Sequence, residues 1–283
     1  MQPHKNPGTK KVTARKDHMT NTLSKIFGKF ASHAFPEWFQ RIINRVYVRI
    51  FHIDLQDFAP ADSYPTLNAL FTRSLIAYRE LDSTPNALIS PSDSLITEQG
   101  IITGDKALQI KGMEYRASEL IGGEESTESI EGFSYVNLYL SPSDYHRYHA
   151  PCDVEILEAR YFGGELLPVN FPSLRKNANL FVRNERVVLL MREVDSGRKI
   201  YFIAVGALNV GKMIFHFDPR IQTNATPNAR QIYTYENPIL CKKGEELGHF
   251  QMGSTIVLFM QNVALELECG QKVRFGQRIA RFV

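Results

Sequence analysis

The pattern of the chain after residue 85 is the feature that most constrains its fold. Four short segments rich in β-favouring residues lie there, at 135–140, 186–194, 199–208 and 254–260, and Gly, Pro, Asn and Asp residues separate them. Short strands divided by turn residues are typical of an antiparallel sheet, whereas helices between strands are typical of a parallel one. The chain also lacks the Gly-x-Gly-x-x-Gly turn of dinucleotide-binding folds. We therefore expect a mainly antiparallel β domain over residues 83–283.

The end of the chain indicates how this domain is completed. Gly270 and Gly276 lie around short apolar stretches, and glycine in such places is typical of tight corners in a small β barrel or sandwich. The expected fold class is α+β. It consists of N-terminal amphipathic helices followed by a mainly antiparallel β domain with a small barrel-like or sandwich-like core.

Three helices are predicted before the β domain, within residues 21–82. Residues 1–20 are polar and basic and have no hydrophobic period, which predicts a flexible basic tail. A third helix is expected over residues 66–81. The first two helices show apolar residues at helical spacing, and the second should begin near Pro36. Their apolar positions are Leu23, Ile26, Phe27 and Phe30 in the first helix, and Phe39, Ile42, Ile43, Val46 and Ile50 in the second.

The second helix carries a row of cations beside its apolar stripe. Arg41, Arg45 and Arg49 follow one another at i+4 spacing, and Trp38, the only tryptophan, lies near the start of the helix. This pattern fits a helix at a membrane interface, where apolar residues enter the headgroup boundary and arginines meet anionic lipid. It equally fits a helix packed on its own domain with a solvated arginine face. The pattern alone leaves both interpretations open.

Composition excludes several classes of protein. The chain has 283 residues, of which 43% are hydrophobic and 22% charged, as in an ordinary folded protein rather than a collagen-like or disordered one. A formal net charge of +3 does not indicate a nucleic-acid partner. Cys152, Cys241 and Cys269 are too few and too widely spaced for a disulfide framework or a metal motif, so a reducing compartment is expected. With no apolar run of about 18 residues and no secretory signal, neither a spanning helix nor secretion is expected.

Candidate catalytic residues crowd into segment 140–151, directly after the first predicted strand. They are Asp144, Tyr145, His146, Arg147 and His149. Imidazoles titrate near neutrality, so two of them can supply a general base and a general acid. The H-x-x-H spacing also suits two metal ligands, but no third ligand follows at a characteristic spacing, and His216 and His249 are distant along the chain. Residue type alone leaves structural, acid–base and metal-binding roles open.

The segments around Asp93 and around Gly253-Ser254 can each be interpreted as a structural turn or as part of a catalytic site. Asp93 lies between apolar stretches, where aspartate commonly initiates a turn, although a buried carboxylate can also orient a distant imidazole as in a Ser-His-Asp arrangement. Gly253 and Ser254 precede a β-favouring run, where Gly-Ser is commonly a turn. The chemical alternative is that a base activates the Ser254 hydroxyl to attack the Gly253 carbonyl, which converts the peptide bond into an ester.

Taken together and in chain order, five segments resemble the phosphatidylserine decarboxylases of the bacterial, membrane-associated type. They are SPSDS (90–94), LSPSDYHRYHAP (140–151), GGELLPVN (163–170), VGALNVGKM (205–213) and GHFQMGSTIVLF (248–259). Segment 64–75 resembles the helix that precedes the catalytic domain in that family, so the similarity runs from about residue 64 to the C terminus. The DYHRxH and GST parts are the specific ones.

The resemblance implies a proenzyme that cuts its own chain between Gly253 and Ser254. The products would be a β chain of residues 1–253 and an α chain of residues 254–283. By similarity, His149, oriented by Asp93, deprotonates Ser254 for the attack on the Gly253 carbonyl. β-Elimination and loss of ammonia would then leave a covalent pyruvoyl group at position 254.

The family mechanism makes that pyruvoyl group the cofactor, so neither pyridoxal phosphate nor a metal is expected. By resemblance, the pyruvoyl carbonyl forms a Schiff base with the amino group of phosphatidylserine. His146 assists decarboxylation and returns a proton, and the products are phosphatidylethanolamine and CO2.

A lipid substrate favours the membrane-interface interpretation of the second helix. The expected contacts with an anionic membrane are Trp38, Phe39, Arg41, Ile42, Arg45 and Arg49. The resemblance therefore implies a peripheral protein on the cytoplasmic face of a bacterial cell membrane, with a homodimer possible and no nucleic-acid partner. Four apolar residues, Phe162, Leu166, Leu167 and Phe171, suit a lipid pocket and a packed core equally well.

Two positions depart from the family pattern. Ser94 stands where glycine commonly follows the aspartate, which matters only if that turn needs a positive φ angle. Met252 stands where leucine commonly precedes Gly-Ser-Thr, and this exchange conserves volume.

Two other classes stay open as alternatives. One is a metal-dependent hydrolase that uses His146, His149 and a carboxylate. The other is a non-enzymatic β module of the lipoyl or biotinyl-carrier type, although Lys242 and Lys243 lack the hairpin context of a carrier lysine.

Overall fold

The computed structural model describes residues 27–123, 129–208, 212–223, 229–251 and 254–283. The predicted basic tail, most of the first predicted helix, and Met252 and Gly253 lie outside these residues. The helices are α1 (Glu37–Phe51), α2 (Leu67–Phe71), α3 (Ala117–Ile121), α4 (Phe171–Lys176) and α5 (Leu180–Arg183), with a 3₁₀ turn at Ala61–Ser63 and helical residues at 27–32. The strands are β1 (Ala87–Ile89), β2 (Ser94–Ile101), β3 (Lys106–Ile110), β4 (Met113–Arg116), β5 (Ser134–Leu140), β6 (Arg147–His149), β7 (Val154–Phe162), β8 (Arg186–Glu193), β9 (Lys199–Gly206), β10 (Met213–Phe215), β11 (Arg230–Cys241), β12 (Glu246–Phe250), β13 (Ser254–Met260), β14 (Val263–Leu265), β15 (Lys272–Val273) and β16 (Arg278–Phe282).

An eight-stranded sheet forms the centre of the fold. Its strands follow the order β11-β7-β8-β9-β13-β5-β2-β15, and every neighbouring pair is antiparallel. Strand β13 lies inside the sheet, where β5 and β9 pair with it on its two sides, and all of its residues are buried. The prediction of an α+β fold with a mainly antiparallel β domain is confirmed.

The sheet is open rather than closed into a barrel. Its two outer strands, β11 and β15, do not pair with each other within the residues that the structure describes. Smaller sheets accompany it, in the orders β1-β16-β14, β10-β12-β6 and β3-β4. Gly270 and Gly276 have φ angles of 87° and 92°, which glycine adopts without steric cost, so the two predicted corners are confirmed.

Helix α1 packs against the rest of the protein with its polar side. Pro36 precedes its first residue and Glu37 lies in its first turn, as predicted. The buried residues of the helix include Gln40 and Asn44, and the Asn44 side-chain amide donates at 2.9 Å to the carbonyls of Ala61 and Tyr64. Much of its apolar stripe is exposed instead, by 49% at Ile42, 49% at Val46 and 63% at Ile50. The stripe therefore does not serve as the main packing face of the helix.

The prediction of a third helix over residues 66–81 is correct only for its first turn and wrong beyond Phe71. Helix α2 begins with Thr66 as its N-cap, whose hydroxyl accepts from the Ala69 N–H, but it ends at Phe71 instead of continuing to residue 81. The buried Arg73 donates to the carbonyls of Ser143 (2.7 Å) and Asp144 (3.0 Å), far away in the sequence. These tertiary hydrogen bonds outweigh the local helix propensity of the segment.

Among the described residues, no helix is both long enough and apolar enough to cross a membrane.

The amide of Asn44 should be the main polar anchor of helix α1. Replacing it in Asn44→Ala leaves two partly buried carbonyls without their donor, which costs about 1–3 kcal/mol. We expect the backbone amides of α1 to exchange with deuterium about 10-fold faster or more, since exchange reports local opening. The exposed change Arg49→Ala on the same helix is the control, and equal exchange in the two variants would contradict this role of Asn44.

Candidate active site

Three sheet strands meet at the position of Ser254. This residue begins β13 and pairs with Leu140, the last residue of β5, and with Gly206, the last residue of β9. Antiparallel pairing places the start of β13 at the same edge as the ends of its two neighbours. The segments after residues 140 and 206 and before residue 254 therefore converge at one edge of the sheet. Ser254 is fully buried there, and its hydroxyl has no hydrogen-bond partner among the described residues.

A fourth segment, GGELLPVN, joins this edge through one buried amide. Asn184 donates to the carbonyl of Gly206 at 2.8 Å and to that of Leu167 at 2.9 Å. Gly164 in the same segment approaches Arg183 so closely that a Cβ atom would lie 2.4 Å from its carbonyl oxygen. Only glycine fits there, which gives the second glycine of this segment a steric reason.

His146 is fully buried next to helix α2. The ring of Phe71 packs on its imidazole, with 3.9 Å between the ring centroids. Its Nδ1 lies 2.9 Å from the carbonyl oxygen of Asp144, and since a carbonyl only accepts, Nδ1 carries the proton. Nε2 is then an unprotonated acceptor, and it has no hydrogen-bond partner among the described residues. This nitrogen is available to take a proton from a bound group.

His149 is held at both ring nitrogens. Its Nδ1 donates to the carbonyl of Gly244 at 2.9 Å, and its Nε2 accepts from the Tyr145 hydroxyl at 3.0 Å. The ring of Phe275 stacks on the imidazole, 3.7 Å away between centroids and tilted by 18°. These contacts fix both the tautomer and the orientation of the ring. For Nε2 to accept another proton, the tyrosine hydroxyl must turn its own hydrogen away.

Asp93 and His149 are connected through Phe275. Its carboxylate accepts from Arg79 at 2.6 Å and from the backbone N–H of Phe275 at 2.8 Å. No hydrogen bond joins Asp93 to His149 within the described part of the chain. The two residues share Phe275, whose backbone binds the carboxylate while its ring covers the imidazole. Ser94, which follows Asp93 and begins β2, has no positive φ angle, so serine fits there without strain.

Burial keeps both candidate histidines neutral. It is the largest cause that lowers the pKa of His146 to about 3 and that of His149 to about 4. The nearby cations Arg73 and Arg147 lower these pKa values further. At pH 7 both rings are therefore unprotonated bases rather than imidazolium ions.

An apolar cavity of about 590 Å³ lies beside this edge of the sheet. Helix α1 and the helical residues 27–32 contribute most of its lining, together with Phe71, Pro142 and Leu208. Phe71 also packs on His146, and Pro142 follows β5 by two residues. The cavity therefore links the exposed face of α1 to the candidate catalytic edge. Phe162, Leu166, Leu167 and Phe171 do not line it.

Two other histidines, which are far apart in the sequence, lie close together in the structure. His216 and His249, distant along the chain, approach to 3.3 Å between Nε2 and Nδ1, and Glu246 lies beside them. Gly248 makes this pairing of β10 and β12 possible, because a Cβ atom there would lie 1.8 Å from the Ile214 carbonyl oxygen. Among the described residues, His216, Glu246 and His249 are the side chains grouped closely enough to hold a metal ion, and neither His146 nor His149 belongs to this group. The hydrolase arrangement that uses those two histidines is thus not formed.

The two lysines considered for the carrier-module alternative both have partners. Lys242 forms an ion pair with Asp153 at 3.0 Å, and the Lys243 ammonium donates to the carbonyl of Asp82 at 2.5 Å. Neither contact is that of a lysine presented for modification.

Stability should fall on acidification because of these buried neutral histidines. Between pH 6.5 and about 4 the unfolded chain binds protons that the folded protein does not, so acid favours unfolding. Each histidine should contribute about 2 kcal/mol of loss between pH 7 and pH 5. We expect His146→Gln to reduce this pH dependence, measured as unfolding free energy against Ser254→Ala as a common parent. Equal pH dependence in the two proteins would show that His146 is not buried as described.

The five segments lie within the part of the chain that is similar to known proteins. Residues 67–281 match the sequence model of the family described as phosphatidylserine decarboxylase. The chain is 56% identical over 264 residues to the phosphatidylserine decarboxylase proenzyme of Helicobacter pylori strain Shi470, which covers 93% of this chain and 98% of that protein. The proenzyme of the same name from Campylobacter jejuni is 44% identical over 265 residues, covering 91% and 97% of the two chains.

A more distant relative is phosphatidylserine decarboxylase proenzyme 1, mitochondrial, of Oryza sativa. It is 28% identical over 337 residues, which cover 92% of this chain and 76% of the rice protein. The matched region of the family model includes Asp93, both buried histidines and Ser254. The family model covers most of the chain, and the family segments converge at one sheet edge. The chain therefore belongs to the phosphatidylserine decarboxylase family.

Proposed function

We propose that this protein is a phosphatidylserine decarboxylase that makes a covalent pyruvoyl group from its own Ser254. The observation that carries the proposal is the environment of that serine. Its hydroxyl is buried without a partner at the first residue of the central strand, where the family segments converge. A buried hydroxyl without a hydrogen bond is costly for stability, and such costs are typical of positions selected for chemistry.

The proposed first reaction is cleavage of the chain at Gly253–Ser254. The Ser254 hydroxyl loses its proton to a base and its oxygen attacks the Gly253 carbonyl, so that the peptide becomes an ester and frees the Ser254 amine. Removal of the Ser254 Cα proton expels the Gly253 carboxylate, which becomes the new C terminus. Water then replaces the nitrogen, ammonia leaves, and a pyruvoyl group remains at position 254.

His149 is the proposed base for this cleavage, with Asp93 in a positioning role. The neutral imidazole is held at both nitrogens, and Nε2 is the one that can receive the serine proton. Asp93 holds the backbone of Phe275, and the Phe275 ring holds the imidazole plane. The carboxylate therefore supports the orientation of the base through packing rather than through a direct ion pair.

The residues around Ser254 suit a pyruvoyl group. Nε2 of His146 is buried, has no partner among the described residues and can bind a polar atom of such a group or of its substrate. The Ser254 oxygen itself would leave with the Gly253 carboxylate when the group forms. When formed, the group supplies a carbonyl that condenses with a primary amine and withdraws electrons from the bond to the carboxylate. His146, neutral at pH 7, is the proposed residue that transfers a proton to the carbon that has lost CO2.

Phosphatidylserine is the proposed substrate, and the apolar cavity is the proposed site for part of its acyl chains. The cavity of about 590 Å³ lies within the size range of ligand sites and joins the exposed face of α1 to Phe71 beside His146. A lipid that enters from a membrane could keep its tail in this apolar space while its headgroup reaches the buried edge of the sheet. The products would be phosphatidylethanolamine and CO2.

The proposed location is the cytoplasmic surface of the cell membrane, with α1 as the contact. Trp38, Phe39, Ile42 and neighbouring apolar side chains are exposed on this helix, while its amides pack inward. Arg41 forms an ion pair with Glu37, and Arg45 forms one with Asp62. The arginine row therefore offers less free positive charge than the sequence suggests, and apolar burial is the main contribution to membrane binding.

Processing at Ser254 is tested first by the intact mass of the purified protein. We expect two chains, and the smaller should cover residues 254–283 with a mass lower by one ammonia than a serine-initiated peptide. Ser254→Ala should remain a single chain, because it lacks the attacking hydroxyl. Ser134→Ala, which removes a buried serine hydroxyl at the opposite end of neighbouring β5, is the control and should be cut normally. An uncut wild-type chain would contradict the pyruvoyl proposal.

Membrane contact is tested by replacing Ile42, Val46 and Ile50 together with serine. The loss of three exposed apolar side chains should weaken binding to anionic phosphatidylglycerol vesicles by about 100-fold in a sedimentation assay. Ile76→Ser removes an even more exposed apolar side chain outside the helix and should leave binding unchanged. Unaltered vesicle binding of the triple variant would reject the membrane role of this face, and a change in oligomeric state instead would assign it to a second copy of the chain.

A further inference from the structure

A second group of chemically active side chains lies on the small sheet next to the active-site edge. His216 directly follows β10, while Glu246 and His249 belong to β12. Nε2 of His216 is 3.3 Å from Nδ1 of His249, and Nδ1 of His216 is 3.4 Å from Oε1 of Glu246. The ligand atoms of the three side chains all lie within 4.8 Å of one another. None of the three has a part in the reaction proposed above.

An irregularity in β12 brings these side chains to one face. Residues three apart on a regular strand point to opposite sides of the sheet. Between Glu246 and Gly248, however, β12 advances two residues while β6 advances one. This bulge turns Glu246 to the same side as His249. Both are partly exposed, whereas Leu247, Gly248 and Phe250 between and beside them are buried.

Strand β10 supplies the third side chain on the same face. Ile214 pairs with His249, and His216 lies two residues further along the chain, so that it returns to the side of the sheet that His249 occupies. The backbone N–H of His216 donates at 2.9 Å to the Leu247 carbonyl, which continues the pairing to this position. Backbone hydrogen bonds thus hold the two histidines in place from both strands.

We infer that His216, Glu246 and His249 form a binding site for a divalent cation of the zinc class. Two imidazoles and one carboxylate are the ligand set that Zn²⁺ accepts in proteins. Ligand atoms about 2.0–2.1 Å from a tetrahedral ion are about 3.3 Å from each other, which is the separation of the two histidine nitrogens. His216 is partly exposed, so the fourth coordination position is open to water.

Arg147 supports the carboxylate of this site. Its guanidinium donates at 2.6 Å to Oε1 of Glu246, and its Nε also donates to the Thr72 carbonyl at 3.0 Å. Oε2 of Glu246 remains for a metal, and a carboxylate oriented by an outer hydrogen bond is typical of metal sites. The arginine therefore restricts the carboxylate without occupying both of its oxygens.

The cation would connect two strands just before the cleavage site. His249 lies four residues before Gly253, and β12 would be the last strand of the β chain after cleavage. A metal bound by β10 and β12 would hold that strand in place when its covalent link to β13 is lost. All three ligands precede Ser254, so the site does not depend on the cleavage or on the pyruvoyl group.

The test is zinc binding to the purified full-length protein without an affinity tag, measured by competition with a chromogenic chelator. We expect one Zn²⁺ per chain and no comparable binding of Mg²⁺, which prefers oxygen ligands. Loss of an outer-shell partner alone weakens metal binding by about 10- to 100-fold, so His216→Ala and His249→Ala should each weaken it by about 100-fold or more. Glu246→Gln should also weaken binding, since the amide is a poorer ligand.

His33→Ala is the matched control because it removes an exposed histidine outside the cluster, and it should bind zinc as the wild type does. His216 is itself partly exposed, so its variant should fold, and the circular dichroism spectrum checks this. Wild-type binding that is no tighter than that of His216→Ala and His249→Ala would overturn the site. The same comparison on uncut Ser254→Ala protein keeps this result separate from the outcome of processing.

Discussion

The double pairing of strand β13 is the constraint on which the rest of the structure depends. Backbone hydrogen bonds from β5 and β9 run along both sides of this strand, from Ser254 to Met260. Because its first residue is also the proposed site of cleavage, the new N terminus of the α chain would be held by two neighbouring strands before and after the bond breaks. The strand keeps the reacting residue at a defined place without any help from the segment that precedes it. The segments that end β5 and β9 are positioned by the same hydrogen bonds.

Burial determines the chemistry that is available at this edge. His146 and His149 lie away from water and next to cations, so their pKa values fall and both rings stay neutral. Carbonyls of Asp144 and Gly244 then determine which nitrogen carries the proton. As a result, the two histidines differ in the hydrogen bonding of their ring nitrogens. His149 has both nitrogens engaged, whereas Nε2 of His146 is left for a bound group.

The N-terminal helices connect this buried chemistry with a lipid substrate. Helix α1 uses the amide of Asn44 to attach itself to the protein, which leaves its apolar residues for an outer contact and for the lining of the cavity. Helix α2 places Phe71 on His146, and the buried Arg73 just after it binds the loop that leads to His146. The proposed membrane contact and the candidate active site are therefore linked through a few residues between 67 and 73. This proximity suits an enzyme whose substrate has an apolar tail and a polar reacting group.

Local sequence patterns determined much of this protein. Runs of β-favouring residues and turn residues predicted the antiparallel strands, because both signals act within a few neighbouring residues. Pro36 and Glu37 predicted the start of α1 for the same reason, and the order of five short segments identified the family and its candidate residues. Only the tertiary structure decided the length of α2, where contacts of Arg73 with residues 143 and 144 end a helix that local propensity would continue.

Long-range packing also decided details of the site that spacing does not contain. Asp93 contacts Arg79 and Phe275 rather than His149, and His216 meets His249 through strand pairing and a bulge. The outward orientation of the apolar stripe of α1 likewise depends on carbonyls at residues 61 and 64 that accept its amide. Sequence alone thus determined which side chains are present and which local elements they favour. The tertiary structure decided which of them meet, because hydrogen bonds and packing between distant segments depend on the whole fold.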